Sequence, residues 1–229
     1  MPLSAVVFDT PPFRYSGRVY GVLHNDRAAL AALGSAVDAP PYKGAPRAPV
    51  LYVKPRNTWL EPGAPVPVPA GGELEIGAGV GLVIGRAACA LGAEGALALV
   101  SGAVIVVDLS VPHDQWYRPQ IPAKARDASC VVGSHVVPRE AAGEIASLDV
   151  RVFVDGELRH AHGPVDWVRP PARLLADVTD FMTLEPGDLL IAGIAHGAPR
   201  VGAGRRVVVE VERLGRVEFQ TMASREGAA

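Results

Sequence analysis

Leu148-Asp149-Val150-Arg151-Val152-Phe153-Val154 places an apolar side chain at every second position and runs directly into Asp155-Gly156. A period of two lines one face of a β-strand, and Asp-Gly tolerates the positive φ angles that a type I′ turn demands. The stretch therefore predicts a hairpin centred near residue 155. Working outward, Arg206 to Glu212 alternates again, meets Leu214-Gly215 and resumes as Arg-Val-Glu-Phe, so the C-terminal end also reads as two strands around a tight turn. Twenty-five glycines and 21 prolines punctuate the 229 residues, and the Val-rich runs between them imply many short strands and few helices. The expected class is α+β and β-rich.

Two segments have helical spacing. Asp26 to Val37 begins with Asp26 as N-cap before an Ala/Leu face, and Pro170 to Phe181 opens on prolines and turns Leu174, Leu175 and Val178 inward. The Pro- and Gly-rich stretch Pro40 to Pro49 reads as a loop between an N-terminal cap segment, residues 1–45, and a main body, residues 46–223. Residues 224–229 are small or polar and are expected to fray.

The composition excludes several classes of partner. With 22 Lys and Arg against 24 Asp and Glu, the net charge of -2 provides no basic field for a nucleic acid or an anionic membrane. No run of 18 apolar residues occurs and the N-terminus lacks a basic segment leading into an apolar one, so a cytoplasmic protein is expected. Cys89 and Cys130 lie in apolar surroundings without metal-binding spacing and are expected to be buried free thiols.

Among candidate motifs, Gly77-Ala-Gly79-Val-Gly81 has the spacing of a dinucleotide loop but is followed by Leu-Val-Ile-Gly, a strand rather than a helix, so a glycine-rich strand is the better reading. His160 and His162 would face one side of a strand, which suits a metal pinch or, more simply, two loop histidines. Val107-Asp108-Leu109-Ser110 is more informative. It sets a carboxylate at the end of the apolar run Ala103 to Val107, where it must be paired, hydrogen-bonded or metal-bound. Arg118, Lys124 and Asp127 follow in a Pro-rich stretch and could complete a charged site.

These residues resemble a known family. Tyr42-Lys43 and Leu51-Tyr-Val-Lys54-Pro55-Arg56-Asn57-Thr58 look like the Lys-Pro strand of the fumarylacetoacetate hydrolase superfamily, and Leu82-Val-Ile-Gly85 looks like the strand that follows it. Val107-Asp108-Leu-Ser110 resembles that superfamily's Asn-Asp-Val-Ser motif, and Lys124-Ala-Arg-Asp127 its Lys-x-x-Asp motif, with Asp155-Gly156-Glu-Leu and Thr183-Leu-Glu-Pro-Gly-Asp188 completing the order. Tyr117-Arg118-Pro119 and Pro41-Tyr42-Lys43 resemble the N-terminal, decarboxylase half of the bifunctional decarboxylase/isomerases of homoprotocatechuate (4-hydroxyphenylacetate) degradation. The resemblance implies a mixed β-roll with a few peripheral helices, assembled as a homo-oligomer or paired with a paralogous subunit.

The implied reaction is decarboxylation of 5-oxopent-3-ene-1,2,5-tricarboxylate and isomerisation of 2-hydroxyhepta-2,4-dienedioate through a dienolate. The ligand class is thus a small dicarboxylic or tricarboxylic 2-oxo acid. By the same resemblance Lys124 and Arg118 are the catalytic cations, and Gln115, Lys54 and Asp127 bind substrate. The family also implies Mg or Mn, held by a Glu-x-Glu pair and the Asp of the Asn-Asp-Val-Ser motif. Here Asp108 is the remaining ligand, and the pair falls on Gly77 and Gly79, which argues against metal in this chain. Glu73 and Glu75 share the spacing and would serve only if the register shifted by four residues. The family's lid His and Glu fall near Arg27 and Leu30, and its Gly-Thr-Pro threonine falls on Ile194. An alternative expectation follows: a catalytically degenerate structural or regulatory subunit that pairs with an active paralogue.

Overall fold

A computed structural model describes residues 9–10, 13–40, 43–114 and 118–224, with side chains from residue 15 onward. Along the chain run β1 (Asp9–Thr10), β2 (Phe13–Arg14), β3 (Val19–Leu23), α1 (Arg27–Ala32), β4 (Val50–Lys54), β5 (Trp59–Leu60), β6 (Pro65–Val68), β7 (Leu74–Ile84) and β8 (Val100–Ser110). The second half adds α2 (Ile121–Lys124), β9 (Cys130–Val132), β10 (Val137–Pro138), α3 (Arg139–Ala142), β11 (Val150–Val154), β12 (Glu157–His162), α4 (Pro171–Thr179), β13 (Leu189–Ile191), β14 (Arg200–Val201), β15 (Arg206–Val211) and β16 (Gly215–Ala223). The expected β-rich α+β architecture is the one that forms.

Two sheets carry the fold. A nine-stranded mixed sheet has the order β4-β3-β13-β7-β8-β9-β5, with β10 on β8 and β14 on β7, and a five-stranded sheet has the order β12-β11-β15-β16-β6. Side chains alternate across each strand. Ile76, Leu82, Ile105, Val107 and Leu109 of the large sheet therefore join Val152, Val207 and Phe219 of the small one in the main core. The opposite face of the large sheet packs Val19, Val83, Val104, Val106, Leu189 and Ile191 into a second cluster with Trp59. Because both faces of β7 and β8 are covered, these strands read as almost unbroken apolar runs rather than as alternation.

Both hairpins form where the sequence places them. Asp155 and Gly156 adopt φ of 53° and 86° between β11 and β12, as a type I′ turn requires, and β15 pairs with β16 from Arg206↔Gln220 to Val211↔Gly215. Helix α4 buries Leu174, Leu175 and Val178 as expected. Asp26 caps α1 by accepting from the Ala28 amide at 2.8 Å, but the helix stops at Ala32 with none of its residues buried, and Leu33 just beyond it is the buried member of the Ala/Leu face.

Two other expectations are corrected. The strand Val19–Leu23 lies inside the large sheet, antiparallel to β4 and parallel to β13, so among the described residues this part of the expected 1–45 segment shares a sheet with the body and is not a cap apart from it. Cys89 is exposed, whereas Cys130 is buried and its thiol is pushed up to about 12 by burial. Of the C-terminal tail only Ser224 is described, its amide bonded to Val68 at 2.8 Å.

Candidate active site

Asp108 sits near the end of β8 on the face that bears Val104 and Val106, where the second apolar cluster gives way to an open cleft. It is 2 % exposed and would be costly if unpaired. Lys54 Nζ meets its Oδ1 at 2.7 Å, Lys124 Nζ donates to its Oδ2 at 3.0 Å, Tyr52 Oη donates to Oδ2 at 2.5 Å, and Ser110 Oγ donates to Oδ1 at 3.1 Å. Burial opposes ionisation of Asp108, but the ammonium groups of Lys124 and Lys54 outweigh it and hold the carboxyl well below the ordinary range. Tyr52 is driven the other way, well above its usual value, by burial and then by the Asp108 charge, so it stays a neutral donor.

Each partner is set by its own stretch of chain. Pro122 at the start of α2 favours a turn that needs no early N–H donors, and the Val111 amide donates to the Ala123 carbonyl at 3.0 Å, which fastens α2 to the end of β8. Lys124, in the last turn of α2, thereby reaches both Asp108 and Ser110 Oγ, the latter at 3.0 Å, with its ammonium 4.3 Å above the Tyr52 ring. Tyr52 lies across Gly21 of β3, where an added Cβ would come 2.1 Å from the ring. Only glycine leaves room for that ring.

Lys54 has no exposed surface and spends its protons inward, on the Leu109 carbonyl at 2.8 Å and the Ser129 carbonyl at 2.9 Å as well as on Asp108. It is a buried counter-charge to Asp108 and is not among the residues that line the cleft. Asp127 is also elsewhere, exposed and accepting from Asn57 Nδ2 at 2.6 Å. Arg118 is exposed and is not among the residues that line the cleft. Gln115, like Tyr117 and Tyr42 of the sequence motifs, lies outside the described residues. Of the expected site residues, the structure thus joins Lys124, Asp108 and Lys54, and only the first two line the cleft.

The cleft has a volume of about 410 Å³. Besides Tyr52, Asp108, Ser110 and Lys124 it is lined by Glu75, Arg200 and the histidines His24, His113 and His196. Sequence reasoning missed Tyr52 as a partner of Asp108 and gave Glu75 no place in an unshifted register. Both signals were available as period-two neighbours, Tyr52 of Lys54 and Glu75 of Gly77. His160 and His162 lie outside it on β12, with ring centroids 5.6 Å apart. Burial and then the neighbouring His162 and His196 lower the His160 pKa.

Gly77 stands directly opposite Asp108, and Glu75 opposite Ser110. In this register Gly77 holds the place opposite Asp108, and Glu75 lines the cleft one rung away. Ile194 fills the space above the two glycines: an added Cβ would lie 3.3 Å from it at Gly77 and 2.9 Å at Gly79, and as close as 2.9 Å to the Asp108 and Gly193 carbonyl oxygens respectively. Among the described residues no three His, Cys, Asp or Glu side chains are grouped to hold a metal ion. Both oxygens of Asp108 already face donors, and a Lys ammonium occupies the space beside each. This donor set does not fit a divalent cation, which needs several anionic or carbonyl oxygens around it.

A family model for the C-terminal region of fumarylacetoacetate (FAA) hydrolase matches residues 18–221. This chain belongs to the fumarylacetoacetate hydrolase family. It is 32% identical over 210 residues to the 4-hydroxyphenylacetate degradation bifunctional isomerase/decarboxylase of Escherichia coli, covering 92% of this chain and 48% of that protein. The chain spans about half the length of this relative and of the other curated isomerase/decarboxylases it matches. Among solved structures, 2-hydroxyhepta-2,4-diene-1,7-dioate isomerase from Mycobacterium marinum superposes with a TM-score of 0.74 at 23% identity, covering 91% of this chain and 71% of that one. Fumarylpyruvate hydrolase from Pseudomonas aeruginosa, in complex with Mn2+ and pyruvate, superposes with a TM-score of 0.73 at 22% identity, covering 93% and 91%. At these identities the structural likeness establishes the shared fold. Among the described residues no helix is long and apolar enough to cross a membrane.

Proposed function

We propose that this chain is a decarboxylase/isomerase subunit of aromatic catabolism that acts on small 2-oxo acids through a dienolate held by Lys124. The observation that carries the proposal is the charge of the cleft floor. Two ammonium groups share one carboxylate, so the buried cluster holds a net positive charge, and Lys124 is its member at the cleft surface. An ammonium has three N–H donors. Two of Lys124's are engaged by Asp108 and Ser110, which leaves one for a ligand oxygen.

In the decarboxylation of 5-oxopent-3-ene-1,2,5-tricarboxylate, the bond to the departing carboxylate breaks and CO2 leaves. The electron pair moves through the vinylogous system onto the ketone oxygen, and a proton from solvent completes the dienol. A fixed cation beside that oxygen stabilises the charge as it develops and needs no reorganisation at the moment of reaction. Asp108, kept ionised, holds Lys124 in place and does not itself exchange protons. Ketonisation of 2-hydroxyhepta-2,4-dienedioate uses the same stabilised oxygen. A homo-oligomer, or a pair with a paralogous subunit, belongs to this reading.

The replacement of the carboxylate pair by Gly77 and Gly79 under Ile194 favours a second reading, in which the chain supports a catalytic paralogue and does little chemistry itself. One assay separates the two: CO2 release from the tricarboxylate, followed with the purified chain alone and mixed with the paralogue. Lys124→Met is expected to lower kcat by about 100- to 1,000-fold while leaving the melting temperature within a few degrees. Release only in the mixture, unchanged by Lys124→Met, would assign the chemistry to the partner.

A further inference from the structure

Arg200 belongs to a two-residue strand, β14, whose Cα partner on β7 is Glu75, and Glu75 in turn stands opposite Ser110 of β8. These three residues make one rung across three strands. Two positions along, Gly77 and Asp108 make the neighbouring rung on the same face, and all five residues line the cleft. Strand spacing and rise place the Arg200 and Asp108 Cα atoms roughly 12 Å apart. Arg200 is exposed and lines the cleft, and among the described residues it makes no ion pair. The Lys124 ammonium also lines the cleft, fixed on Asp108 and Ser110.

Resting on the oxo-acid reading above, we infer that Arg200 and Lys124 form a two-point clamp for a dicarboxylate. Lys124 takes the oxo-acid end, and Arg200 takes the carboxylate remote from it. A seven-carbon chain has terminal carboxyl carbons roughly 7 Å apart when extended, by ordinary bond geometry, which suits two long cationic side chains reaching toward each other over this span. Glu75 lies between them, so the middle of the ligand must be uncharged; an anion there would meet a carboxylate. A guanidinium also presents a planar fork that matches a carboxylate with two parallel bonds. Arg200 is thereby a specificity-determining residue: it selects a second carboxylate and leaves recognition of the oxo acid to Lys124.

The test is calorimetric titration of the full chain with pyruvate and with 2-oxopimelate, a seven-carbon 2-oxo dicarboxylate. Wild type is expected to bind the diacid more tightly than pyruvate. Arg200→Gln should weaken the diacid by roughly 10- to 100-fold, the range for a charge-assisted bidentate contact, and change pyruvate by less than twofold; Arg200→Lys should restore only part of the loss. Equal losses on both ligands, or no loss on the diacid, would overturn the clamp. If pyruvate binding disappears in Lys124→Met while Arg200→Gln leaves the diacid unaffected, the clamp fails and the oxo-acid site stands. If wild type binds neither ligand, both fall.

Discussion

Replacing Asp108 with Asn is expected to remove about 3–5 kcal/mol of folding stability, the range for deleting one partner of a buried ion pair, and to disorder the cleft floor. The substitution keeps the shape of the side chain, so no cavity arises. It removes the carboxylate that faces Lys54, which has no exposed surface on which to be solvated, and it points an amide that can donate toward groups that themselves donate. Urea denaturation of both proteins measures the difference, and a loss below about 1 kcal/mol would mean that the carbonyls of Leu109 and Ser129 hold Lys54 without help. Adding Lys54→Met to Asp108→Asn should recover part of the loss, because the stranded charge is then gone.

The same pair sets a pH dependence. The folded-state pKa of Asp108 is depressed below its unfolded value, so its contribution is fully present above the unfolded carboxylate pKa. It declines as the pH falls below that unfolded value and is gone once the pH has passed the lower folded value. Wild type should therefore lose stability on acidification below pH 4, and Asp108→Asn should lose less over that interval.

The second large effect concerns the missing metal ligands. Gly77→Glu with Gly79→Glu would restore the family's carboxylate pair in sequence, but not in space. At each position the first side-chain carbon already lies 2.9 Å from a backbone oxygen and no more than 3.3 Å from Ile194. Because backbone in a central strand cannot yield cheaply, the double variant should destabilise the protein by more than about 3 kcal/mol, as overpacking and buried charge do. It should gain no Mn affinity by calorimetry. Adding Ile194→Thr relieves the side-chain part of the conflict, so the triple variant is the one in which Mn binding should emerge. Tight Mn or Mg binding by the unmodified chain would contradict this account of the site.

What the sequence disclosed and what it hid follow from locality. The hairpin at Asp155-Gly156, the β15–β16 pair and the core face of α4 were legible because residues a few positions apart decide them. The convergence of Lys124 on Asp108 was legible only through the family motifs. Composition alone would not have paired residues brought together by a four-residue helix docked on a strand end. The burial of Lys54 was not legible because lysine is normally solvated, and nothing local reveals that its ammonium points into the protein to balance a carboxylate. Arg200 was invisible: its neighbours Glu75 and Ser110 lie on strands far away in sequence. The helix expected over residues 26–37 falls short for the opposite reason, since a good local pattern ends at Ala32 and, of its Ala/Leu face, buries only the flanking Leu33.

The strand order of the large sheet also bears on how the chain reaches its native state. On one side β7 is flanked by β8, which follows it closely in sequence, but on the other it is flanked by β13 and β14, and β13 pairs in parallel with β3 from near the N-terminus. During synthesis β7 therefore emerges with one edge satisfied and the other bare, and it waits until roughly one hundred further residues have left the ribosome before that edge is sealed. Non-local pairings of this kind slow folding. The apolar residues of β7 are thus the ones most exposed to mispairing in the nascent chain.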